Sequence, residues 1–243
     1  MNTPSLAFKT FEWINLPFQE LSVEEGEVRY YVTPTGERLP SMTSVLSILE
    51  DGGIDEWIQR VGQEEADRIV EEAVRRGNSL HDLSERYLKN ELKRENVTGP
   101  GAVLFNRSKR HLDTLGPIVA VEAPLYNIKD GYAGRVDCIA FHGKDLCIVD
   151  HKNSRRKIDL SKDYARKKLF KYMCQCAGYG RAFRYMFPHL PAPSHGILIV
   201  GNFADMSSSI YKFSLEPFEK EVDILLDAYY KRRSTADSFF FKL

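Results

Sequence analysis

The sequence predicts an α/β domain in which a mixed, largely antiparallel central sheet is flanked by helices. Two short runs rich in β-branched and aromatic residues, 138–141 and 146–149, flank His142-Gly143-Lys144-Asp145, which reads as a hairpin turn. Further strand-like runs lie at 118–125, 195–201 and 209–213. Segments with helical periodicity stand on either side of these runs. At 243 residues and 43% hydrophobic content, a single domain can bury a full core.

Each element has its own local reason. Residues 28–33 form a strand-like run closed by Pro34-Thr35-Gly36, which predicts an N-terminal hairpin within residues 1–40. The acidic run 20–27 reads as a solvated face. Ser41 or Thr43 reads as a cap before Val45-Leu46-Ser47-Ile48-Leu49, and Asp51-Gly52-Gly53 ends that short helix. Helical periodicity continues over 54–61, 64–76 and 79–92, with Gly77 separating the last two and Asn78 or Ser79 as the N-cap. Residues 96–101 have loop composition and 103–115 read as another helix, so 41–115 form a helical region that covers the sheet. Residues 116–243 supply the α/β core. Its helices are a long one over 163–187, rich in lysine, arginine and aromatics and ended by Pro188, and an amphipathic one over 215–232.

Bulk composition excludes more than it assigns. The net charge is zero and the pI about 7.0, so any polyanionic partner must be argued from local charge. There is no run of 18 apolar residues, which predicts no membrane span. The first 20 residues lack a secretory apolar core and an arginine-rich transit composition, so the expected compartment is the cytoplasm, bacterial or of an infected bacterium, rather than the mitochondrial matrix. Cys138 and Cys147 fall on predicted strands as small core residues, and Cys174 and Cys176 point to different sides of a helix. With no C-x-x-C pair, no zinc or iron-sulfur site is expected.

The chemistry concentrates in Gly134-Arg135-Val136-Asp137 and Ile148-Val149-Asp150-His151-Lys152. Adjacent antiparallel strands would bring Asp137 and Asp150 together, and alternation puts Asp150 and Lys152 on one face with His151 pointing away. Glu122, fifteen positions before Asp137, sits on the preceding strand. Three carboxylates from three neighbouring strands suit an oxygen-ligated Mg²⁺, and His81, near a helix start in Gly77-Asn78-Ser79-Leu80-His81, makes Mn²⁺ equally suitable. A one-residue register shift would turn Glu122 away. For His81 the competing reading is a packed or capping residue, and for Asp137, Asp150 and Lys152 a salt-bridged surface hairpin.

Taken together, Gly77–His81, Glu122, Gly134–Asp137, Asp150-His151-Lys152 and Gln175-Cys176-Ala177-Gly178-Tyr179 resemble the five ordered motifs of the PD-(D/E)xK nuclease superfamily, in particular its RecB-like exonuclease branch. The resemblance covers roughly residues 41–179. Ser41-Met42-Thr43-Ser44-Val45-Leu46, the aromatic helix at Trp57 and Lys152-Asn153-Ser154 are similar to the mitochondrial genome maintenance exonucleases and their phage-type relatives. It implies a restriction-endonuclease-like core. His81, Glu122, Asp137, Asp150 and the main-chain carbonyl of His151 would bind one or two Mg²⁺ or Mn²⁺ ions, and Lys152 would orient water and stabilise the transition state. Gln175 and Tyr179, one helical turn apart, would steady the metal site or the scissile nucleotide. The four-cysteine iron-sulfur subgroup is not matched.

Between residues 155 and 171, Arg155, Arg156, Lys157, Lys162, Arg166, Lys167, Lys168 and Lys171 face only Asp159 and Asp163, a local net charge of +6. This segment suits contacts with DNA phosphates, and the interleaved Tyr164, Phe170 and Tyr172 could stack bases of a single strand. The plainer reading is a solvated helix face. The function expected is a metal-dependent DNA exonuclease acting on single-stranded or frayed ends in phage or bacterial DNA processing. The alternatives are an endonuclease of the same superfamily and a non-catalytic nucleic-acid-binding module. Trp57, Tyr185 and Phe187 read as core.

Overall fold

The computed structural model describes residues 8–49 and 53–240. The proposed helix stop at Asp51-Gly52 lies outside them. Three short strands, β1 (Ser22–Glu24), β2 (Tyr30–Val32) and β3 (Arg38–Pro40), form an antiparallel sheet in that order. The hairpin predicted at residue 34 is β2–β3. β1 falls in the acidic run, exposed along its length, and pairs with β2. Six helices follow in chain order among the strands: α1 (Met42–Val45), α2 (Gly53–Val61), α3 (Gln63–Leu88), α4 (Ala102–Leu112), α5 (Asp163–Met186) and α6 (Glu216–Phe240). Ser41 caps α1, its Oγ accepting the Ser44 N–H at 2.9 Å.

The main sheet comprises β4 (Ile118–Asn127), β5 (Tyr132–His142), β6 (Asp145–Ser154), β7 (His195–Asn202) and β8 (Ser207–Ser214), side by side in chain order. Every neighbouring pair is antiparallel except β6–β7, whose connection runs through α5. The mixed character therefore comes from one crossover helix. At the predicted hairpin, His142 pairs with Asp145 and Gly143 adopts φ +65°, as a two-residue turn requires.

Two apolar layers sandwich this sheet. On one face, Val136, Ile139, Ile148, Leu198 and Val200 meet α1, α5 and α6 through Met42, Cys176, Phe183 and Val222. On the other, Cys138, Ala140, Cys147, Val149 and Ile197 meet α3 and α4 through Leu80, Leu83, Leu104 and Phe105. All four cysteines are buried and free, as core residues. Among the described residues, no helix is long and apolar enough to cross a membrane.

Several boundaries differ from the sequence reading. Gly77 does not break a helix: α3 runs unbroken for 26 residues, and Ser79, read as a cap, instead accepts the Gly101 N–H at 3.0 Å. His81 is thus deep in a long helix. The helical cost of glycine is outweighed by close packing, because a Cβ on Gly77 would lie 2.7 Å from Asn153 Nδ2 on β6. α4 ends at Leu112, three residues early, and α6 extends beyond residue 232. Phe187 packs against the first layer, but Trp57 is half-buried outside both layers and Tyr185 is exposed.

Gly134 shows the same logic more sharply. A Cβ there would stand 2.8 Å from the Tyr179 ring, so α5 can approach β5 only over a bare backbone. Gly134→Ala should lower stability by about 1–3 kcal/mol, read as a lower urea midpoint at unchanged slope.

Candidate metal-dependent active site

The site begins where two strands part. The β5–β6 ladder runs from His142↔Asp145 to Cys138↔Val149 and stops, leaving Asp137 and His151 beyond its end. The Asp137 carboxylate takes over the ladder's role: Oδ2 accepts the His151 N–H at 2.6 Å. On the other side of β5, Val121 pairs with Cys138 and Ala123 with Val136, so Glu122 and Asp137 stand opposite each other.

Both positions break the alternation of their strands. Val136 and Ile139 feed one layer and Cys138 and Ala140 the other, whereas a regular strand would send Val136 and Cys138 to the same side. On β4, Ala120 and Ala123 share a layer and Val121 takes the other. Glu122 supplies the break there by adopting φ +51°, a conformation costing a non-glycine residue about 1–3 kcal/mol. Arg135 holds it: Nη1 donates to the Glu122 carbonyl and Nη2 to Glu20 at 3.0 Å. In place of a register slip there is a local kink that keeps Glu122 aimed at its neighbours.

Those neighbours include His81. Its Nδ1 lies 3.6 Å from Asp137 Oδ2 and 3.9 Å from Glu122 Oε1, and ligand atoms of the three residues fall within 4.8 Å of one another. His81 Nε2 lies 3.0 Å from the His151 carbonyl oxygen. A proton on Nε2, donated to that oxygen, leaves the Nδ1 lone pair facing the carboxylates, the tautomer a metal ligand needs. One imidazole and two carboxylates suit Mg²⁺ or Mn²⁺. The His151 carbonyl, expected among the ligands, stands against His81 Nε2 in this structure. The His151 ring is buried, its Nε2 without a hydrogen-bond partner, and stands edge-on to His81 at 5.9 Å.

Asp150 belongs to a second group. Lys152 Nζ donates to Asp150 Oδ1 at 2.9 Å and to Gln175 Oε1 at 3.2 Å, and Gln175 Nε2 donates to the Tyr179 hydroxyl at 3.3 Å. Asp150 and Lys152 do share a face, and Gln175 and Tyr179 reach them from α5. Asp150 Oδ2 is buried and held by the same ammonium at 2.9 Å, with no further hydrogen-bond partner among the described residues. It lies outside the three-residue group.

The charges are set by burial against neighbours. Burial lifts Asp150 to about 6 despite Lys152. Burial disfavours the Lys152 ammonium, but Asp150 and Asp137 more than compensate and hold its pKa above the ordinary value, so it stays charged. Burial likewise opposes the Asp137 carboxylate, yet His81, Lys152 and His151 keep it below the usual range. His151 is pushed down to about 4 by burial, with His81 and Lys152 adding to it against Asp137.

An 880 Å³ cleft opens over the first group, between α3 and the small sheet, lined in part by Glu25, Asp82 and Glu85. A second cavity of 580 Å³ lies on the far side of β6, taking Ser154 where the cleft takes Asn153. Arg155, Arg156, Lys157, Tyr164 and Lys168 line it, whereas Lys162, Arg166, Lys167 and Lys171 do not. Arg166 and Lys167 lie 3.3 and 3.7 Å from Asp163. Phe170 packs against Phe218 and Tyr172 under Lys152, 4.9 Å from Nζ, so neither is the free stacking platform expected. Arg60 and the role of Arg135 come only from the fold, although Arg135 has a local signal in its place inside the Gly-x-x-Asp motif.

No family model matches the chain, and no curated protein is significantly similar to it. Among solved structures it is similar to the crystal structure of SSO0001, at 17% identity over 67% of this chain and 74% of that one, with a TM-score of 0.36. A likeness so distant bears on neither fold nor function.

His81 supplies a direct check. Burial lowers its pKa, but the charge of Asp137 and the nearby Glu122 carboxylate outweigh this and raise it to about 9. Because the folded value exceeds the ordinary 6.5, the stabilisation is fully present below pH 6.5 and is lost as pH rises through about 9. In chelator, an NMR titration of the His81 ring should show a midpoint near 9, falling by at least about one unit in Asp137→Asn. Mn²⁺ should displace that proton.

Proposed function

We propose that this protein is a metal-dependent deoxyribonuclease of the PD-(D/E)xK superfamily, RecB-like in its motifs, that hydrolyses phosphodiester bonds from single-stranded or frayed DNA ends. The observation that carries the reading is a lysine held as an ammonium on β6 beside a histidine-and-two-carboxylate set built on α3, β4 and β5. Groups perturbed in this way cluster at functional sites, and here a kinked glutamate meets a histidine and a second carboxylate beside a buried lysine–carboxylate pair.

In this reading His81, Glu122 and Asp137 would hold a divalent ion, and Asp150 would reach the same ion or a second one by sharing its carboxylate with Lys152. When bound, the ion supplies an acidified water and neutralises phosphate charge. Lys152 would meet the non-bridging phosphate oxygens and stabilise the charge that grows on them during attack. Its raised pKa makes it an electrostatic group rather than a base. Asp150 and Gln175 fix the ammonium's position, Tyr179 steadies Gln175, and Arg135 keeps Glu122 turned inward through its main chain. His151, neutral at pH 7, gives up both backbone groups to the site: its N–H to Asp137 and its carbonyl to His81.

End-labelled single-stranded DNA should be degraded with Mg²⁺ or Mn²⁺ and spared in chelator, while closed circular single strands stay intact. Asp150→Asn and Lys152→Ala should each lower turnover by about 10²–10³-fold with the fold retained by circular dichroism. Full activity in either variant would overturn the assignment, and cutting of the circle would make the enzyme an endonuclease.

A further inference from the structure

The 580 Å³ cavity beyond β6 is built differently from an ordinary charged surface. Five cations line it, Arg60 from the last turn of α2, Arg155, Arg156 and Lys157 from the loop after β6, and Lys168 from α5, against one carboxylate, Asp159. That carboxylate is engaged elsewhere, its Oδ1 accepting the Ser161 N–H at 3.0 Å. Among the described residues no carboxylate acts on Lys168: burial and the charge of Lys152 both depress its pKa. A half-buried ammonium with no carboxylate beside it costs stability unless something supplies the missing negative charge.

The loop is also fixed in place before any ligand arrives. The Phe203 and Ala204 N–H groups donate to the Ser154 and Arg155 carbonyls at 3.1 and 2.9 Å, and Ile158 packs against the apolar layer beneath α5. The Lys162 N–H closes a turn onto the Asp159 carbonyl at 3.0 Å. A loop whose main chain is already ordered loses less on binding than a mobile one does.

The cavity communicates with the site already described. The Tyr172 ring has Lys152 Nζ at 4.9 Å and Lys168 Nζ at 5.9 Å from its centroid, so a single aromatic ring links the two ammonium groups. At the rim stands Tyr164, 73% exposed, the most open of the large apolar side chains among the described residues. An exposed aromatic beside cations suits a flat base attached to a phosphate.

We infer that this cavity is a phosphate-binding subsite for a single nucleic-acid strand, gripping the strand on the side of Lys152 remote from the His81 group, with Arg60 and Lys168 as its charged walls and Tyr164 as its stacking rim. The identity of the ligand as nucleic acid rests on the nuclease reading; the preference for a phosphate rests on the cavity. The ligand's phosphate could be a strand terminus or an internal phosphodiester, and both share this chemistry.

Binding to the full chain in chelator isolates the subsite from hydrolysis. By fluorescence anisotropy with a labelled oligothymidylate, Arg60→Glu and Lys168→Met should each weaken affinity about tenfold or more. Each should also flatten the dependence of log K on log salt by about 0.7 for every phosphate no longer neutralised. Lys144→Met, in the β5–β6 turn, should match the parent. Lys168→Met should raise the melting temperature, and orthophosphate should raise that of the parent but not of this variant. A 5′-phosphorylated strand that outcompetes its 5′-hydroxyl twin only when Lys168 is present assigns a terminal phosphate; equal binding of the twins assigns an internal one. Parental affinity and salt slope in both variants would overturn the subsite, as would polyglutamate binding as tightly as the oligonucleotide. Failure of the nuclease reading looks different: DNA bound in a Lys168-dependent way yet never cut in Mg²⁺ or Mn²⁺.

Discussion

The bond from the His151 N–H to the Asp137 carboxylate holds the functional end of this molecule together. β5 and β6 pair normally up to Cys138↔Val149 and must then separate, because β5 turns towards β4 and the small sheet while β6 continues beside β7. A fork in a sheet leaves backbone donors without partners, and burying one costs about as much as a hydrogen bond is worth. Asp137 satisfies the donor at the fork with a side chain instead of a backbone carbonyl. That solution buries a negative charge, and the surrounding site is largely the set of groups that offset it.

Two kinds of cation answer that charge, on opposite faces of the sheet. His81 reaches Asp137 from α3, and Lys152 stands on the α5 side with Asp150 and Gln175. Removing either partner of such a buried arrangement leaves an uncompensated ion, which is far more destabilising than the intact pair is stabilising. The kinked Glu122 adds strain that only Arg135 and the His81 interaction offset. A sheet selected for stability alone would place apolar residues at the fork. A strained Glu122 on β4, buried carboxylates on β5 and β6, and cations from β6 and α3 concentrate charge and strain at this one place in the sheet.

The strand-borne part of this is legible in the sequence because a strand's period is short and its turn chemistry is local. Gly143 announces the β5–β6 turn, and two-residue alternation from there puts Asp150 and Lys152 together without any tertiary knowledge. Gln175 and Tyr179 are readable for the same reason, at helical spacing. What cannot be read depends on neighbours distant in sequence. Gly77 looks like a helix break until Asn153 occupies the space its side chain would need. Glu122 reads as a regular strand residue, since only Arg135 and the opposing break at Asp137 impose its positive φ. Arg60 lies in a helix with no motif and gains meaning only when the loop after β6 folds beside it. In the basic segment, charge count overstates the surface: Arg166 and Lys167 are drawn to Asp163, and Phe170 is drawn inward.

The distribution of charge around β6 then constrains how a polyanion can use the site. The cleft over His81 carries Glu25, Asp82, Glu85, Glu122 and Asp137, and its nearest arginines are already paired, Arg29 with Glu25 and Arg135 with Glu20. The cleft lining carries five carboxylates against Arg29, Arg135 and His81, whereas the cavity beyond Lys152 offers five cations against a single carboxylate, so phosphate is drawn more strongly to the cavity. In a nuclease built this way, the strand would be held on the cationic side and could advance over the carboxylates only when divalent cations reverse the local field. Metal and strand would then bind with positive coupling, each raising the affinity for the other by the same factor. In such a nuclease a neutral protein would bind a highly charged polymer through a segregated cationic pocket, with the repulsion switched off by the ions that its chemistry would need.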